Sequence, residues 1–195
     1  MTKLGWGILI AVVLVVGGFL SMLSFGDGKG GPGIGERWRR SMPSRIAPPS
    51  LTVPVAGVAP DAIADSWGDP RGDGTRRHRG TDIMAPGGTP VLAAAAGTVE
   101  KLFESRLGGT TLYVRSPDRR WVYYYAHLSG YAPGIGEGVA VRAGQKLAYV
   151  GDTGDAGPGN THLHFGVQRM RAGEGWWQGQ DVNPHPLLAG TAAGR

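Results

Sequence analysis

The chain holds five histidines and no cysteine, and four of the histidines fall into patterns that could do chemistry. His78 precedes Asp82 by four positions. His162 and His164 flank Leu163 within Thr161–Gln168, a run that alternates as a strand does. Side chains two apart in a strand share a face, so both imidazoles would reach one site while Leu163 enters the opposite layer. His127 follows the aromatic run Trp121-Val122-Tyr123-Tyr124-Tyr125, where the expected strand ends and a side chain can leave the core for a cleft. Zinc accepts imidazole nitrogen and carboxylate oxygen, and a catalytic site keeps a fourth position for water, so two His and one Asp suffice. Any other imidazole nearby can handle protons, because its ordinary pKa of ~6.5 lies close to working pH. The fifth histidine, in Asn183-Pro184-His185-Pro186, reads as a surface turn residue. Without cysteine there is no disulfide framework, thiolate zinc site or cysteine nucleophile.

The elements that must position these residues are short strands. Of 195 residues, 35 are Gly and 14 are Pro, without a Gly at every third position, which excludes a collagen helix and favours a turn-rich β fold. Thr110–Val114 and Trp121–Tyr125 are β-branched and aromatic, and Ser116-Pro117-Asp118 between them marks a hairpin turn. Lys146–Val150 is a further strand, closed by Gly151-Asp152. Ala93–Ala96 is read as strand and turn because it runs directly into Gly97-Thr98-Val99. No amphipathic segment reaches helix length. The body is therefore expected to be all-β, an antiparallel sandwich or half-open barrel. The Gly-rich stretch Gly151–Asn160 reads either as a groove wall or as a plain loop, and Trp176-Trp177 as packing on the body. Arg76, Arg77 and Arg79 crowd the first histidine motif, as a solvated face or as an attractor of carboxylates.

The first fifty residues differ in kind. Residues 1–3 form a short tail, and Leu4–Phe25 carries no charge over 22 residues, enough at ~1.5 Å per residue to span a bilayer. That run is too long for the core of a cleaved signal peptide and lacks a good small-x-small site, so it reads as a transmembrane anchor. Residues 26–50 are rich in Gly, Pro and Arg and read as a flexible linker. The domain proper is expected over 51–188, with a C-terminal tail at 189–195. The net charge of +5 is uneven: six basic against two acidic residues in 1–50 give +4, leaving +1 for the rest. The body thus lacks the clustered basic surface of a nucleic-acid binder. The basic residues Lys29–Arg40, taken alone, would hold the body in the cytoplasm.

His78-x-x-x-Asp82, Tyr125-Ala126-His127-Leu128 and Thr161-His162-Leu163-His164-Phe165 together resemble the lysostaphin/LytM-type zinc endopeptidases. Flanking pieces agree, among them Asp69-Pro70-Arg71, Ala85-Pro86-Gly87-Gly88-Thr89-Pro90-Val91 and Val141-Arg142-Ala143-Gly144-Gln145, so the resemblance covers residues 65–188. It implies that His78, Asp82 and His164 bind Zn2+ and that His127 and His162 are catalytic without being ligands. It implies hydrolysis of peptide bonds in peptidoglycan stem peptides or cross-links by a zinc-activated water. That substrate lies outside the cytoplasmic membrane, so the body is expected to be extracytoplasmic, anchored by a single pass, despite the basic flank. Some members have lost ligands and act only as activators of other hydrolases, the alternative reading here. All five positions are intact in this chain. A lipoyl- or biotinyl-carrier domain would leave the histidines unexplained, and Lys101 and Lys146 lack the context of a carrier lysine.

Overall fold

A computed structural model describes residues 50–72 and 74–188. The segment read as an anchor, residues 4–25, the linker up to its last residue and the tail at 189–195 lie outside the described residues. Among the described residues no helix is long and apolar enough to cross a membrane.

The fold is antiparallel β throughout. A two-stranded hairpin, β1 (Pro70–Arg71) and β2 (Arg76–Arg77), precedes nine strands that share one hydrogen-bonded sheet. These are β3 (Thr81–Met84), β4 (Pro90–Leu92), β5 (Gly97–Ser105), β6 (Gly109–Arg115), β7 (Trp121–Tyr131), β8 (Ala140–Val141), β9 (Lys146–Val150), β10 (His162–Arg169) and β11 (Gln180–Val182). The main path runs β11-β10-β7-β6-β5-β8, with β3 on β10 and β4 on β9, which in turn joins β7. The link between β4 and β5 bends back to the turn before β9. There the Ala93 N–H donates to the Gln145 carbonyl and the Gly144 N–H to the Ala93 carbonyl, each at 2.8 Å. One helical turn, α1 (His185–Leu188), closes the described chain.

The core is built from strand residues that face away from solvent. Val91, Val99, Leu112, Leu128, Leu147, Leu163 and Phe165 are fully buried there. Each such side chain contributes about 1.5–3 kcal/mol over an exposed one. Tyr125 is buried among them with its ring 5.3 Å from that of Phe165. Its hydroxyl accepts the Ala94 N–H at 2.9 Å, so the phenol is buried without an unpaired oxygen. The Ser116–Asp118 turn forms as the composition suggests: the Ser116 hydroxyl and the Arg120 N–H both donate to Asp118 Oδ1, at 2.6 and 3.1 Å.

β7 is the spine, and it is longer than the aromatic run that announces it. Its N-terminal half pairs with β10 through Ala126, and its C-terminal half pairs with β9 from Leu128. His127 sits at that seam, within the strand and not at its end as the sequence suggested.

Candidate active site

β3 and β10 are neighbours with His164 directly opposite Asp82. His78, just before β3, completes a cluster. His78 Nε2 and His164 Nδ1 each lie 3.0 Å from Asp82 Oδ1 and 2.9 Å from one another. His78 donates its Nδ1–H to the Ser66 carbonyl at 2.7 Å, which fixes the tautomer and leaves Nε2 a lone pair. Ser66 serves twice, since its hydroxyl accepts the Asp82 N–H at 3.1 Å. The second carboxylate oxygen of Asp82 is taken by Arg71 Nη2 at 2.5 Å. Burial alone would raise the Asp82 pKa. The His164 and His78 rings against its Oδ1 outweigh it and hold the carboxyl well below the usual carboxylate range. Burial pushes His164 down, partly offset by Asp82, so it stands as a neutral ligand-competent imidazole.

Two imidazoles and a carboxylate converging on one point fit a zinc ion. Tetrahedral ligands at ~2.0–2.1 Å from a centre stand about 3.3 Å apart, and the three atoms here are close to that spacing. The packing behind them is tight. A Cβ on Gly80 would lie 2.6 Å from His164 Cε1 and 2.7 Å from the Phe165 carbonyl oxygen, so only glycine leaves the His164 ring its place.

His127 and His162 face each other beside this cluster, ring centroids 4.8 Å apart, and His127 is 5.8 Å from His164. Both are held by backbone carbonyls. His127 donates Nδ1–H to Thr153 and His162 donates Nδ1–H to Asn160, each at 2.8 Å. In both rings Nε2 is left free of the backbone, and His162 Nε2 lies 3.8 Å from Asp82 Oδ1. Burial, partly offset by the Thr153 bond, pushes the His127 pKa down and so favours the neutral ring.

His127 reaches the cleft through a bulge. Alternation along β7 sends Tyr124 and Ala126 to the cleft and Tyr125 to the core, and Leu128 is buried in the core only because the register shifts between them. His127 would follow Tyr125 inward. Instead Ala126 and His127 together oppose Thr111 of β6, and His127 adopts φ +60°. A bulge with a left-handed residue re-aims the next side chain. The Thr153 carbonyl that receives His127 is itself placed by a close backbone approach. Gly109 and Gly154, both at positive φ, meet so closely that a Cβ on Gly154 would lie 2.3 Å from Gly109 N. Thr153 is pinned further as its hydroxyl donates to the Leu128 carbonyl at 2.9 Å and accepts the Thr110 N–H at 3.1 Å.

All four histidines and Asp82 line one open cleft of about 580 Å³. Asp155, Ala156 and Asn160 of the Gly151–Asn160 stretch line it as well, so that stretch is a wall of the cleft. His185 stands apart, in α1 and not in a turn, with Nε2 3.0 Å from the Ile63 carbonyl. Trp176 packs on Tyr113 and Phe103 at ring distances of 4.6 and 5.3 Å, whereas Trp177 is 63% exposed. Ser66, Gly80 and Thr153 escaped the sequence reading. Arg71 was visible only as part of Asp69-Pro70-Arg71.

The description "Peptidase family M23" matches this chain over residues 76–184. The L-Ala–D-Glu endopeptidase of Bacillus subtilis is 38% identical over 129 residues, 63% of this chain and 38% of that protein. The peptidoglycan DD-endopeptidase ShyC of Vibrio cholerae is 38% identical over 91 residues, 46% of this chain and 20% of that protein. The chain thus spans well under half the length of either relative. Among solved structures, the catalytic domain of the antimicrobial peptidase lysostaphin from Staphylococcus simulans superposes with a TM-score of 0.54 at 29% identity. That match covers 65% of this chain and 90% of that domain.

Proposed function

The chain belongs to peptidase family M23, and from that premise we propose that it is a zinc endopeptidase that hydrolyses peptide bonds of peptidoglycan stem peptides or cross-links. The observation that carries the reading is the pairing of two histidine sets in one cleft. One set of three ligand atoms lies within about 3 Å of one another. The other is two imidazoles whose Nδ1–H groups are held by backbone carbonyls and whose Nε2 atoms are unclaimed by the backbone. The names of the two relatives, one cutting L-Ala–D-Glu and one a DD bond, support peptidoglycan peptides as the substrate class.

In this reading His78, Asp82 and His164 hold the zinc, which when bound would acidify a water and polarise the scissile carbonyl. His127 and His162 do the rest. One takes the proton of the attacking water at Nε2 as the tetrahedral centre forms. That Nε2–H then returns the proton to the departing amine, and the other ring, once protonated at Nε2, donates a hydrogen bond to the oxyanion. The carbonyls of Thr153 and Asn160 hold Nδ1–H in both rings and so leave Nε2 as the atom that exchanges protons. Arg71 holds the outer oxygen of Asp82 and so fixes which oxygen faces the metal. The domain over 51–188 would work outside the cytoplasmic membrane, tethered by residues 4–25 through the linker 26–50. Incubating the full chain with purified peptidoglycan tests the proposal. New amino and carboxyl ends on the peptides are expected, and they should vanish with a chelator. Unchanged peptides from zinc-loaded protein would favour the activator reading instead.

A further inference from the structure

Hydrolysis accounts for the histidines of the cleft but not for its charge. Four arginines of one short segment line it, Arg71, Arg76, Arg77 and Arg79, against the carboxylates of Asp82 and Asp155. Both carboxylates are already engaged. Arg71 holds Asp82, and Arg76 Nη2 holds Asp155 Oδ2 at 3.0 Å. Arg77 and Arg79 are exposed, and neither meets a carboxylate among the described residues. Arg77 Nη1 donates to the Gly68 carbonyl at a long 3.4 Å, and the Arg79 guanidinium lies 5.8 Å from the Trp67 ring centroid. Two exposed guanidinium groups with no carboxylate partner among the described residues thus flank His78 in the chain and line the cleft.

A guanidinium at a cleft recognises a carboxylate in particular, by two parallel N–H···O bonds. Peptidoglycan peptides differ in this group. A stem peptide whose glutamate is linked through its side-chain carboxyl keeps a free α-carboxylate, which some walls convert to a primary amide. An oligoglycine bridge carries no carboxylate along its length. We infer that Arg77 and Arg79 form a carboxylate-reading subsite, and that the preferred substrate is an acidic stem peptide with its α-carboxylate free near the scissile bond. The inference rests on the proposed peptidoglycan reading and narrows it to one substrate class. The excess positive charge of the rim also steers such a peptide toward the cleft, an effect that salt screens.

Two synthetic stem peptides test this, identical except that one carries the free α-carboxylate and the other its amide. Binding is measured on the full chain carrying His127→Ala and loaded with zinc, and cleavage on the unaltered full chain. The acid peptide should bind about 10-fold tighter than the amide, with the ratio falling as salt rises. Adding Arg77→Gln and Arg79→Gln should bring the ratio near one, and Arg77→Lys with Arg79→Lys should keep part of it. Equal binding of the two peptides, no binding of either, or a ratio that survives the double Gln variant overturns the subsite. Preferential binding of the acid peptide with neither peptide cut by the unaltered chain leaves the subsite standing and overturns the hydrolytic reading.

Discussion

Asp82 is held from three sides, by His78 and His164 at one oxygen and by Arg71 at the other. A carboxylate so fixed offers a metal one lone pair in one direction. Asp82→Ala or His164→Ala should therefore lose most of the zinc that copurifies with the chain, as measured by elemental analysis. His127→Ala and His162→Ala should retain it and lose turnover by ~10²-fold or more. Zinc lost from His162→Ala but kept by His164→Ala would reverse the assignment within β10. Gly80 gives a second test, since a methyl there would press on the His164 ring and the Phe165 carbonyl. Gly80→Ala should behave like His164→Ala, with the metal gone and the β fold intact by circular dichroism. The four histidines and Asp82 that meet in the cleft were legible in the sequence because the signal lies in their residue types and spacing. Ser66, Asn160 and Thr153 were not, because each holds its imidazole through a carbonyl oxygen that every residue carries.

At the scale of elements, Lys146–Val150 forms the strand that its composition suggests, with the same bounds, and Leu163 enters the core between two cleft-facing histidines. Period-two alternation and β-branched or aromatic residues carry that much. The end of β7 lies beyond the aromatic run, where Ser129 and Gly130 give no local strand signal. Pairing with β9, some twenty residues later, is what extends it. The bulge was equally hidden, since it exists only where two residues of β7 face one of β6. The approach of Gly109 to Gly154 fixes Thr153 and hence His127. A side chain at Gly154 would force the two loops apart and is also strained at φ +73°. Gly154→Ala should keep its zinc yet lose most turnover, and a fall in kcat with little change in zinc content is the signature to seek. Loss of zinc in this variant would show that the loop supports the ligands and not His127 alone.

For the whole molecule, the sequence holds two opposed signals. Lys29–Arg40 favours a cytoplasmic body by charge, while the histidine cleft favours a body outside, where peptidoglycan is. Protease added to spheroplasts that carry the full chain separates them. Digestion of the domain is expected, and protection until lysis would show that charge decides the topology. The most direct test of the central claim is a digest of purified peptidoglycan with the zinc-loaded full chain, its products identified by mass. Peptides cut at an internal amide are predicted, with the cutting abolished by chelation, restored by zinc and reduced ~10²-fold or more in His127→Ala. Release of glycan fragments with intact peptides, or cutting that persists at full rate in the chelated protein, would contradict it.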